Sequence, residues 1–159
     1  ALELSPDLPV ALVNLGSAFR QLKQWDNARE ALERALAVSP DDPEAHYGLA
    51  MVFAQTDDTA HALEQFQRAL QTRPEYPEAL NNLGILYLRT ARRDEAVAKF
   101  EECIRVAPAF EQSYLNLARV LALESSAEKA RDVLQQLLRQ HPENAQAIEM
   151  LGQLAARPQ

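Results

Sequence analysis

Asn14, Asn82 and Asn116 share one register of a 34-residue interval, and Gly48 takes the remaining place in it. A carboxamide donates and accepts at once, so such an array can pair with the peptide groups of a ligand whatever its sequence. That is binding chemistry. The residue types that make and break bonds are scattered. His46, His61 and His141 share no interval, and no His/Cys pair has the spacing of metal ligands. The acidic pairs Asp57-Asp58 and Glu101-Glu102 fall on turns or helix surfaces, where solvation explains them better than acid–base work. There is no glycine-rich phosphate loop and no nucleophile elbow. Cys103 occupies a small apolar slot that Ala35 and Ala69 fill elsewhere, which reads as a core thiol. Trp25 stands at a turn, where its ring is expected to pack between helices. The expectation is no catalytic residue, no metal and no cofactor: a binding protein rather than an enzyme.

Composition narrows the partners. The net charge of −7 and the pI near 5.0 disfavour nucleic acid, whose binding needs a basic stripe to displace counterions. No apolar run approaches the roughly 18 residues of a membrane span, so no membrane insertion is expected, and the sequence opens with no basic, apolar leader. One cysteine excludes a disulfide framework within the chain, and a chain without disulfides can fold in any compartment. The 159 residues, 47% of them apolar, suffice for a continuous core.

The elements that would carry the asparagines are read from repetition. Pro6, Pro40, Pro74, Pro108 and Pro142 are each 34 residues apart. Leu15, Leu49, Leu83, Leu117 and Leu151 keep the same interval, as do Ala28, Ala62, Ala96 and Ala130. Within a unit the apolar spacing is helical. Leu12, Leu15 and Phe19 mark one face of a first helix; Ala28, Leu32 and Ala35 mark a second. Ser39-Pro40-Asp41-Asp42-Pro43 punctuates: Pro40 ends one helix, Asp42 can cap the next and Pro43 suits its first turn. Helices are thus predicted at 9–22, 26–38, 43–55, 60–72, 77–90, 94–106, 111–123, 127–140 and 145–156. Gly16, Ala50, Gly84, Ala118 and Gly152 sit midway along the first helices, where small residues let two backbones approach.

Asn81-Asn82-Leu83-Gly84-Ile85-Leu86-Tyr87 followed by Asp94-Glu95-Ala96 resembles the tetratricopeptide repeat, as do Leu15-Gly16, Ala28, Leu32, Ala35 and Pro40. The resemblance covers nearly the whole chain. It implies an all-α, right-handed α-solenoid of antiparallel helix pairs, with a concave face made by the first helices, serving as a protein-interaction scaffold. Full repeats fall at 9–42, 43–76, 77–110 and 111–144. Residues 1–8 read as the remnant of a preceding repeat, and 145–159 as a capping or cut helix. The chain departs from the family pattern at its hairpin turns, where Lys23, Asp57, Ala91 and Ser125 stand in place of a frequent glycine. His46 replaces a large apolar residue, and Leu137 replaces a small one, so the last hairpin is expected to pack more loosely.

On these helices the face turned away from each second helix holds Val13, Asn14 and Ser17; then Tyr47, Gly48 and Met51; then Asn81, Asn82, Ile85 and Arg89; then Asn116 and Arg119. These are the candidate peptide-binding residues. Neighbouring first helices lie about 10 Å apart and an extended peptide advances about 3.3 Å per residue, so one asparagine would meet roughly every third ligand residue. The array resembles the asparagine ladder in the repeat arm of O-linked N-acetylglucosaminyl transferases. The dicarboxylate clamp of chaperone-tail receptors fits less well, because Val13, Ser17 and Glu78 replace its lysines and asparagine. Gly48 is expected to leave a hollow beside Tyr47 and Met51 for an apolar ligand side chain. Two alternatives to a peptide receptor stand: self-assembly into a homo-oligomer through the apolar ends, and service as the recruitment arm of a larger enzyme.

Overall fold

The computed structural model describes residues 8–123 and 126–156. Among them are nine helices: α1 Leu8–Gln21, α2 Trp25–Val38, α3 Pro43–Gln55, α4 Thr59–Thr72, α5 Pro77–Arg89, α6 Arg93–Val106, α7 Glu111–Leu123, α8 Ala127–Gln140 and α9 Ala145–Ala155. Each predicted helix is present, with its ends within a residue of expectation. Residues 1–7, which include most of the expected repeat remnant, lie outside the described residues, as does Ser125.

Local chemistry sets these boundaries. Asp42 caps α3: its Oδ1 accepts from the N–H groups of Glu44 and Ala45, both at 2.9 Å, while Pro43 fills the first turn. Asn144 caps α9 by accepting from the Ala147 N–H at 2.9 Å. The hairpin turns share one closing bond, from the residue after the turn to a carbonyl five residues back. It joins Gln24 to Phe19, Asp58 to Phe53, Arg92 to Tyr87 and Ser126 to Leu121. In the first three turns a left-handed residue precedes the donor, as this closure favours. Lys23, Asp57 and Ala91 supply it at φ 57°, 60° and 58°, without glycine.

The chain forms two compact units, residues 1–79 and 80–159. In the first, the hairpins α1/α2 and α3/α4 stack through α2 on α3. Leu12, Val13, Ala35 and Ala45 form one core cluster; Ala28, Leu32, Leu49 and Val52 form another, with Trp25 packed against it. Gly16 and Gly48 both face Leu32: a Cβ on either would come within 2.6 and 2.8 Å of its side chain. In the second unit α6 packs on α7, α7 on α8, and α8 and α7 on α9. Gly84 lets α5 close on Phe100, which would stand 2.6 Å from an added Cβ. Phe100, Cys103, Leu134 and Leu137 are fully buried, so the bulk of Leu137 is accommodated within the core. Each such large apolar side chain contributes about 1.5–3 kcal/mol by leaving water.

Candidate functional site

The first-helix face begins as a seam. In the first unit α1 and α3 lie side by side, and Val13 is buried there against Ala35 and Ala45. Val13 is therefore part of the core and does not line an open groove, contrary to the sequence-based assignment. Gly48 also differs from expectation. It is buried, and the side chain of Leu32 lies over it. No hollow exists at that point, because the absent Cβ makes room for the second helix of the preceding hairpin rather than for a ligand.

Around Gly48 the first unit builds an aromatic cluster. The Tyr47 ring lies 5.1 Å from that of Tyr76 and 6.0 Å from Phe66. Arg20 places its guanidinium 5.9 Å from the Tyr47 ring, with its Nε buried and unpaired. Arg73 stands 4.6 Å over Tyr76 and pairs with Glu44 at 3.2 Å. Burial pushes the Tyr76 hydroxyl well above the ordinary tyrosine range; Tyr47 and Glu44 add to the shift and Arg73 opposes it. The Tyr76 ring therefore stays neutral at physiological pH. Ser17 and Met51 are half-buried beside this cluster's helices, and Asn14 is exposed.

In the second unit the seam between α5 and α7 is polar. Asn81 Oδ1 accepts from Asn116 Nδ2 at 2.9 Å and from Ser113 Oγ at 3.1 Å. Asn116 Oδ1 in turn accepts from Arg119 Nη1 at 3.3 Å and Gln112 Nε2 at 3.4 Å. Asn81 and Asn116 are each 5% exposed and Ser113 is fully buried. Asn116 is thus a strut between two first helices, its amide already engaged, and not a free rung for a ligand. The sequence carried a signal for this. Ser113 sits where Ala45 and Ala79 sit in other repeats, and Asn81 sits where Val13 and Leu115 do. Two coupled polar replacements, one repeat apart, mark a buried network. His46 and Gln65 are a similar pair: the His46 Nε2–H donates to the Pro40 carbonyl at 2.9 Å, and Nδ1 pairs with the Gln65 carboxamide at 2.7 Å.

Past the seam the face opens. Ile85, Arg89 and Arg119 are exposed and Asn82 is half-buried. Between α7 and α9 lies a groove of about 320 Å³, walled by Arg119 and Leu123 on one side and Gln146, Glu149, Met150 and Gln153 on the other. Leu123 is 71% exposed. A cation, a carboxylate, amides and apolar groups therefore converge on one cleft, within the roughly 300–1,000 Å³ range of ligand sites. Arg119 is the one predicted binding residue that lines it. Among the described residues no group of His, Cys, Asp or Glu could hold a metal ion, and no helix is long and apolar enough to cross a membrane.

Comparison with known proteins agrees with this architecture. Residues 13–79, 81–145 and 125–157 match the tetratricopeptide-repeat sequence pattern. The PilF protein of Pseudomonas aeruginosa superposes with a TM-score of 0.84 at 23% identity, over 93% of this chain and 68% of that one. MamA gives 0.79 at 22% identity, over 89% and 82%. A thermophilic repeat protein from Thermus thermophilus gives 0.70 at 26% identity, over 92% and 80%. No curated protein matches by sequence.

Proposed function

Because the chain belongs to the tetratricopeptide-repeat family, whose members are generally non-enzymatic interaction scaffolds, we propose that it holds an extended segment of a partner protein in the groove between α7 and α9. The observation that carries this reading is the cleft itself. Arg119 offers a planar donor set for a ligand carboxylate or carbonyl, Leu123 and Met150 offer apolar contact, and Gln146 and Gln153 can pair with backbone. The ligand expected is a short peptide with an acidic residue beside an apolar one. Specificity comes from the cation and apolar wall; the asparagines of the α5–α7 seam keep that wall rigid.

A displayed random-peptide library, selected on the whole chain, tests this. Selected peptides should bind Arg119→Glu at least about tenfold more weakly, the loss of roughly 1.4 kcal/mol typical of a charge-assisted contact. Leu123→Glu, at an exposed position, should weaken them similarly. Peptides whose affinity ignores both substitutions would show that the groove is not the binding site.

A second reading, self-association, is favoured by one observation. Leu15 is 42% exposed, whereas Leu49, Leu83 and Leu117 at the same register are at most 3% exposed. A leucine in that register is built to be covered.

A further inference from the structure

On the other side of the first helices, each unit carries a groove between consecutive second helices. In the first unit it lies between α2 and α4 and measures about 480 Å³; in the second it lies between α6 and α8 and measures about 530 Å³. The two are the same feature of the repeat. Glu33, Leu49 and Glu64 line the first; Glu101, Leu117 and Asp132, each 68 residues on, line the second.

Their charges differ for a traceable reason. In the first unit both carboxylates have an arginine four residues away on their own helix: Arg29 lies 3.8 Å from Glu33, and Arg68 lies 3.3 Å from Glu64. In the second unit those arginine positions are Val97 and Gln136. Val97 instead joins Leu117, Leu121 and Val133 in an apolar floor, and Asp94 adds a third carboxylate to the rim. Three carboxylates then face one ammonium, that of Lys129, around an apolar trough. The first unit's groove is neutralised and partly filled by the Phe53 and His61 rings, which lie 5.1 Å apart.

We propose that the α6–α8 groove docks a basic, amphipathic segment of a partner protein, its apolar side chains on Val97, Leu121 and Val133 and its arginines or lysines on Glu101, Asp132 and Asp94. Charge complementarity selects this occupant: an acidic or neutral segment would leave the rim unpaired. The site is separate from the α7–α9 cleft and does not depend on it.

The test is fluorescence anisotropy on the whole chain at low salt. The probe is a labelled helix-forming peptide with leucines on one face and arginines beside them; its twin carries glutamates for the arginines. The arginine peptide should bind and the twin should not. E101Q/D132N should weaken binding about tenfold, since two of the three rim carboxylates are neutralised. Gln136→Arg and Val97→Arg, which restore the first unit's arrangement, should weaken it too; Gln136 is exposed, so that variant tests the idea even if Val97→Arg misfolds. E33Q/E64Q and Arg119→Glu should leave it unchanged. Equal binding of the twin, an equal loss in E33Q/E64Q, or a loss on Arg119→Glu would overturn the assignment.

Discussion

Ala91 holds a backbone conformation that its Cβ opposes. The left-handed region costs a non-glycine residue roughly 1–2 kcal/mol, and glycine's extra freedom in the unfolded chain takes back about 0.5–1 kcal/mol. Ala91, at φ 58°, is exposed, so its methyl group has little packing to lose. Ala91→Gly should therefore raise stability by about 0.5–1 kcal/mol, read as a shift in the urea midpoint at constant slope. Asp57→Gly should gain less, because aspartate tolerates this region better. Glycines inside helices invert the argument. Gly84→Ala gains about 1 kcal/mol of helix propensity yet drives a Cβ to 2.6 Å from the fully buried Phe100 ring. Overpacking of this kind costs about 1–3 kcal/mol, so the variant should be destabilised. At Gly152 a Cβ meets nothing within 4 Å, and Gly152→Ala should stabilise by up to about 1 kcal/mol. Thermal melts that rank the two glycine variants the other way would refute this account of the small positions.

Between elements, the α5–α7 seam shows what a repeat can hide. Asn81→Leu would strand Asn116 Nδ2 and Ser113 Oγ in a buried place, at about 1–3 kcal/mol for the unpaired groups. Changing Ser113 to alanine and Asn116 to leucine as well removes the stranded partners, so the triple variant should recover much of the loss. A triple variant less stable than Asn81→Leu alone, by chemical denaturation, would disprove the network's role. The helices themselves were legible in the sequence, because a 34-residue lattice of proline, leucine and alanine repeats the local evidence in every unit. The division of the first-helix face was only partly legible. Helical periodicity identifies an apolar stripe but cannot divide it between a neighbouring first helix and solvent. Val13 and Gly48 therefore fall on the predicted groove face although both are buried in the core. Arg119, one turn beyond the seam, is exposed and lines the α7–α9 groove. The α6–α8 groove is not legible from periodicity, which marks only the packing face of the second helices, whereas the groove's rim is polar.

At the scale of the whole chain, charge and exposed apolar surface oppose each other. The formal charge is −7 at pH 7 and vanishes near pH 5.0. Val10 and Leu15 on α1 and Ile148 on α9 are exposed, which offers copies of the chain something to bury. At neutral pH, like charge keeps copies apart, over a distance that shrinks from about 10 Å at 0.1 M salt to about 3 Å at 1 M. Self-association should accordingly rise as the pH falls from 7 towards 5, and also as salt rises at pH 7. Both changes remove repulsion, and neither removes the apolar contact. Sedimentation velocity reads this directly as a larger weight-average sedimentation coefficient. Leu15→Gln takes away apolar area without altering charge and should reduce association under both conditions. Two results would sink the idea. One is a single monomeric species at every pH and salt concentration. The other is association that Leu15→Gln and Ile148→Gln leave untouched, which would make it charge collapse rather than docking of an apolar face.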